Sequence, residues 1–233
     1  MILYNTLMGV AAGLALILVP RLMRKLYLRQ RVSPEGWSLT FAILGFIMAL
    51  LGGLMATTWP LTANPPINIA FAEPVFVLGL LSLAAAFFLW RKRDTIIALS
   101  EQKAGGAAEV EVRQTLTPIS WIVLALGLML TAITLAILRF ELVGGAPPEE
   151  PITGLLYDKP WIENTFFAIL YGLSAVGALL TPWAVRNFGG KAARIVGICW
   201  TIAGILFLLF SAMNYYTHIG MLINFAEGDK YQW

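Results

Sequence analysis

The sequence predicts an all-α membrane protein, a polytopic bundle of about six transmembrane helices with both termini external, and three observations lead there. Hydrophobic residues make up 59% of the 233-residue chain and charged residues only 12%, with a mean hydropathy of +0.77. Too little polar surface remains to cover a water-soluble globule. Apolar stretches recur at a length of roughly 20 residues, which at about 1.5 Å rise crosses a hydrocarbon core of about 30 Å. The basic residues, finally, fall in alternate loops. The chain reads as a single transmembrane domain over residues 1–233 with a cytoplasmic loop at about 91–118, a multi-pass protein of the cell membrane with the lipid bilayer as its main partner.

The predicted spans run from Ile2 to Pro20, Trp37 to Trp59, Val75 to Trp90, Ser120 to Leu138, Trp161 to Val185 and Ile195 to Tyr216. The third is the shortest and has room to begin as early as Ile67. The first lacks the basic leader and the small-residue cleavage site of a signal peptide, and it is kept as a span. Arg21, Arg24, Lys25, Arg29 and Arg31 follow span one; Arg91, Lys92, Arg93, Lys103 and Arg113 follow span three; Arg186, Lys191 and Arg194 follow span five. That places thirteen of the sixteen basic residues in three loops, which the positive-inside rule assigns to the cytoplasm.

Pro34, Pro74, Pro118 and Pro160 are each read as the first residue of a span, where a missing N–H is harmless and a fixed φ suits the helix. Ser33 and Thr117 are the corresponding N-caps. Trp37, Trp59, Trp90, Trp121, Trp161 and Trp183 fall near span ends, as an interfacial aromatic belt requires. Asp94 to Thr117 reads as a flexible cytoplasmic loop with a short interfacial helix over Thr95 to Lys103, and Pro60 to Pro74 and Leu142 to Pro160 read as ordered external turns.

Composition and counting exclude several functions. The basic residues form no single basic module, so no nucleic-acid partner is expected. One cysteine, Cys199, permits neither an intramolecular disulfide nor a CxxC motif. One histidine, His218, excludes bis-histidine haem ligation within the chain. The spans hold almost no ionisable group, which argues against a proton-coupled pump. Gly9 with Gly13 and Ser174 with Ala178 form small-xxx-small pairs, read as close helix contacts within the chain or, in a homo-oligomer or larger membrane complex, between subunits. Pro182 is placed to kink or end span five.

Tyr4-Asn5-Thr6, Pro34-Glu35-Gly36-Trp37, Thr58-Trp59-Pro60 and Asn68 through Phe71-Ala72-Glu73-Pro74 together resemble the bacterial and archaeal membrane proteins grouped as domain-of-unknown-function family 981. The resemblance is carried mainly by about the first ninety residues. It implies a multi-pass membrane protein and no particular activity, substrate or catalytic residue.

Groups able to do chemistry gather at the external face. Glu73 and Glu163 stand in the opening turns of two spans and His218 follows the last one, at a depth shared by Asn68, Asn164, Asn224, Glu227 and Asp229. Glu73, Glu163 and His218 are therefore the candidate metal ligands, with a divalent metal ion as the implied cofactor. A plainer reading competes. A carboxylate in a first helical turn gains about 0.3–1 kcal/mol from the helix dipole alone, and His218 reads equally as an interfacial histidine bonded to a neighbouring loop. Three functions follow, in order: a non-catalytic membrane subunit or homo-oligomeric scaffold; a metal-dependent membrane enzyme or cation-binding protein using the external cluster; and a channel or facilitator for a small neutral solute. Whether the protein is an enzyme, and which residues would be catalytic, stay open at this point.

Overall fold

The computed structural model describes residues 3–101 and 105–228; Ile2, Lys103 and Asp229, used above, lie outside them. Seven α-helices follow in order: α1 Leu3–Tyr27, α2 Pro34–Thr58, α3 Pro65–Arg91, α4 Arg93–Glu101, α5 Ala107–Phe140, α6 Pro160–Arg186 and α7 Lys191–Glu227, with a 3-10 turn at Thr153–Leu156 before α6. Six of them, all but α4, are long and apolar enough to cross a membrane. Five of the six predicted belt tryptophans, Trp59, Trp90, Trp121, Trp161 and Trp183, are exposed on the bundle, as lipid-facing anchors should be.

Two helix starts differ from expectation, and proline is the reason in both. Pro34 and Pro160 do open α2 and α6, and Ser33 caps α2 by accepting a 3.1 Å hydrogen bond from Gly36 N. Pro74 and Pro118 instead lie inside α3 and α5. The start signal of α3 is Pro65, so the segment read as an external turn is helical from there on. Thr117 is no cap; its hydroxyl donates to Arg113 O at 2.8 Å within α5.

Residues 94–101 and 107–117, read as part of a flexible loop, are helical. Ile96 and Leu99 of α4 and Ala108 and Val112 of α5 are buried at the one-turn spacing of an amphipathic face, in one cluster with Leu22, Leu26 and Phe41. Arg29 ties them together: it donates to Leu99 O at 3.1 Å and pairs with Glu109. Lys92 pairs with Glu111 at 2.7 Å and Arg113 with Glu109 at 2.7 Å.

The six long helices close a ring in the order α1, α2, α3, α5, α6, α7 and back to α1. Packing is closest in the pairs α2/α3, α5/α6 and α1/α7, and lightest across α3/α5. Lipid supplies no hydrophobic drive between helices, so close approach must come from small residues. At the α1/α7 crossing a Cβ on Gly13 would lie 2.6 Å from Leu208 N, and one on Gly204 2.6 Å from Gly13 O. The Gly9–Gly13 face is thus turned inward onto α7, and Ala178 of the second small-residue pair meets Gly127 across α5/α6.

Candidate functional site

The ring surrounds a partly open cavity of about 1710 Å3 lined mainly by α1, α3, α5, α6 and α7, with α2 reaching it only through Phe41 and α4 only through Ile96. Arg21, Arg24 and Arg194 line its basic end; Glu150, Glu163 and His218 line its acidic end. Between them the wall is mostly apolar. Its hydroxyls are largely committed to their own helices: Ser82 donates to Leu78 O at 2.8 Å, Ser174 to Leu170 O at 2.8 Å and Thr181 to Gly177 O at 2.9 Å. Toward the acidic end the wall turns aromatic. Phe71 stacks on Phe167 at 5.7 Å between centroids, Phe167 meets Phe210 edge to face at 5.1 Å, and Tyr171 meets Phe207 at 5.8 Å.

The acidic end is organised by Glu150. The segment between α5 and α6 folds down onto α7, burying Glu150, Pro151 and Thr153. Thr217 donates to Glu150 Oε1 at 2.7 Å, and His218 Nε2 lies 3.4 Å from the same oxygen. Glu163, on α6, accepts from Gly145 N at 2.8 Å and Ala146 N at 3.3 Å, so its carboxylate fixes the neighbouring part of that loop.

Of the three predicted metal ligands, the structure brings two to this end and leaves the third out. Glu163 and His218 both line the cavity beside Glu150, whereas Glu73 is exposed and lies off the cavity wall. Glu73 follows Ala72, which is buried against α2, so its own side chain points away from the packed face of α3. Among the described residues no three His, Cys, Asp or Glu side chains converge closely enough to hold a metal ion. The asparagines at the same depth have other work. Asn68 bonds both polar groups of Leu61, at 3.1 Å each; Asn164 accepts from Val143 N at 3.0 Å; Asn224 donates to Glu149 O at 2.7 Å. Each clamps an interhelical loop onto a helix, which accounts for the recurring Asn without a ligand.

The family described as protein of unknown function (DUF981) matches residues 1–221. The chain belongs to this family. The likeness read from about the first ninety residues thus extends over nearly the whole length, and the six long apolar helices have the composition of membrane spans. No curated protein and no solved structure matches the chain.

In this DUF981 protein the residues at this end that were not among the predicted ligands are Glu150, Asn5 and Asn214. Asn5 and Asn214 line the acidic end, and each holds a side-chain oxygen that is buried without a hydrogen-bond partner in the structure. A signal existed for Asn214, which stands four residues before His218 and so shares its helix face. Glu150 carried none, being one of two adjacent glutamates in a loop.

Proposed function

We propose that this protein is a binding protein or facilitator of the cell membrane that holds a small apolar or amphipathic molecule in its central cavity. One observation carries the reading: a cavity of about 1710 Å3 reaches from the basic to the acidic end of the ring. That exceeds the roughly 300–1,000 Å3 of ordinary small-molecule pockets, so a chain-like solute has room. An inorganic ion is a poor match, because the middle of the wall offers apolar side chains and hydroxyls already bonded to helix carbonyls, with little to replace a hydration shell. With the basic loops in the cytoplasm, the acidic end opens to the outside. The scaffold reading rests on the apolar spans and on ordinary structural roles for the polar positions; the Gly9–Gly13 face adds nothing to it, being used inside the chain.

The test is saturable binding. Full-length protein in zwitterionic lipid nanodiscs, titrated calorimetrically with dodecanol against empty nanodiscs, should show a stoichiometric site. Val123→Trp and Leu78→Trp, at two positions on the cavity wall, should weaken it while the variants still elute as folded protein. Binding indistinguishable from empty nanodiscs would overturn the reading.

A further inference from the structure

At the acidic end, three buried side-chain atoms have no hydrogen-bond partner in the structure: Asn5 Oδ1, Asn214 Oδ1 and His218 Nδ1. All three residues line the same cavity. Buried polar atoms in native proteins are nearly always satisfied, so three unpartnered acceptors in residues that line one space point to a donor bound beside them. The two amide oxygens accept only. His218 directs Nε2 at Glu150; a neutral imidazole holding its proton there presents Nδ1 as an acceptor too. The carboxylates of Glu150 and Glu163 line this end as well, and the three arginines of the wall are all at the other one.

The acceptors stand over aromatic faces. Phe167 lies one turn below Glu163 on α6, and Phe210 one turn below Asn214 on α7, by the four-residue spacing of a helix face. Their rings meet at 5.1 Å between centroids. Carboxylates and amide oxygens above, with aromatic walls below, favour a cation that has both N–H groups to give and an apolar body to bury. A metal ion would need three ligating side chains brought together, and the described residues bring none such here.

We propose that the acidic end of the cavity seats a primary ammonium group carried on an apolar chain, the ammonium among Asn5, Glu150, Glu163, Asn214 and His218 and the chain along the aromatic wall toward the membrane centre. The proposal rests on the reading of the cavity as a ligand site, and it adds the class of ligand.

Four probes of equal chain length separate the two: dodecylamine, dodecyltrimethylammonium, dodecanol and dodecanoate, each titrated into full-length protein in zwitterionic nanodiscs against empty nanodiscs. Dodecylamine should bind at least about tenfold tighter than dodecanol, the margin of one charge-assisted hydrogen bond, and tighter than the trimethylated cation, which has no N–H to donate. Glu150→Gln, Glu163→Gln and Asn214→Leu should each remove about tenfold of amine affinity, a larger loss than dodecanol shows. Each glutamine keeps an oxygen to accept the bonds from Thr217 or from Gly145 and Ala146, and Asn214→Leu tests the seat independently should either fail to fold. Equal binding of all four probes, as expected if water alone satisfies the acceptors, would overturn the ammonium seat and leave the cavity reading standing. An amine preference untouched by all three substitutions would overturn its location, and no saturable binding of any probe would overturn both.

Discussion

The hydroxyl of Tyr171 on α6 donates a 2.9 Å hydrogen bond to the carbonyl of Ala70 on α3. Pro74 explains why that carbonyl is free: it stands four residues on and has no N–H to close the helical bond. Both partners are buried, Tyr171 at 4% and Ala70 at 2% exposure, so neither can turn to water. The bond spans the side of the ring where α3 meets its neighbours most lightly.

Tyr171→Phe should therefore destabilise the protein by about 1 kcal/mol, toward the upper part of the range for hydrogen bonds between membrane helices. In a Pro74→Ala background the restored N–H takes the carbonyl, and the Tyr171→Phe penalty should shrink. Thermal unfolding of the four proteins of the cycle reads this; equal penalties in both backgrounds would disconnect the two residues.

Gly13→Leu should prevent assembly of the α1/α7 pair rather than change an oligomer, because any Cβ at Gly13 meets the backbone of α7 at 2.6 Å. Gly172→Ala is the contrast, since its Cβ would meet only the Thr134 methyl at an ordinary 3.8 Å. Expression and elution after gentle extraction should collapse for the first and stay near wild type for the second. A folded Gly13→Leu protein with altered oligomer size would return that face to a subunit contact.

Span number and the tryptophan belt were legible because they depend on length and composition, which the bilayer fixes for every helix alike. The starts of α3 and α5 were not. A proline inside a helix, about two to three turns from its start, and a proline opening it look the same in sequence, and what distinguishes Pro74 is the Tyr171 hydroxyl a hundred residues away. The site was half legible for a similar reason. Glu163 and His218 are set by helix position, whereas Glu150 reaches them through the fold of a loop clamped by Asn164 and Asn224. Glu73 had the same apparent helix-start signature in sequence as Glu163, but α3 begins at Pro65, which leaves Glu73 inside the helix on an exposed face.

The Arg29, Glu109 and Arg113 cluster makes stability depend on pH. A hydrogen bond from Gly105 N, followed by the Arg29 guanidinium and the charge of Arg113, holds the Glu109 carboxyl below the usual glutamate range. Since it titrates lower folded than unfolded, its stabilisation is complete above the unfolded value of about 4.3 and is lost as pH falls through the folded one. The melting-temperature gap between wild type and Glu109→Gln should be steady from about pH 7 to 6 and close below about pH 4. A gap that widened on acidification would contradict the assignment.

Orientation rests on charge alone, and it decides which solution the acidic end of the cavity meets. The loop carrying Glu150 and the helix ends beside it are poor in Lys and Arg, while Arg21, Arg24 and Arg194 surround the opposite mouth. Basic residues resist translocation, so the second mouth should face the cytoplasm. Ala107 and Leu155 are exposed at the two ends and suit single-cysteine labelling in a Cys199→Ser background. With intact cells and an impermeant maleimide, Leu155→Cys should label at once and Ala107→Cys only after lysis. The reverse order would invert the protein and place the carboxylates, with any ligand they hold, on the cytoplasmic side.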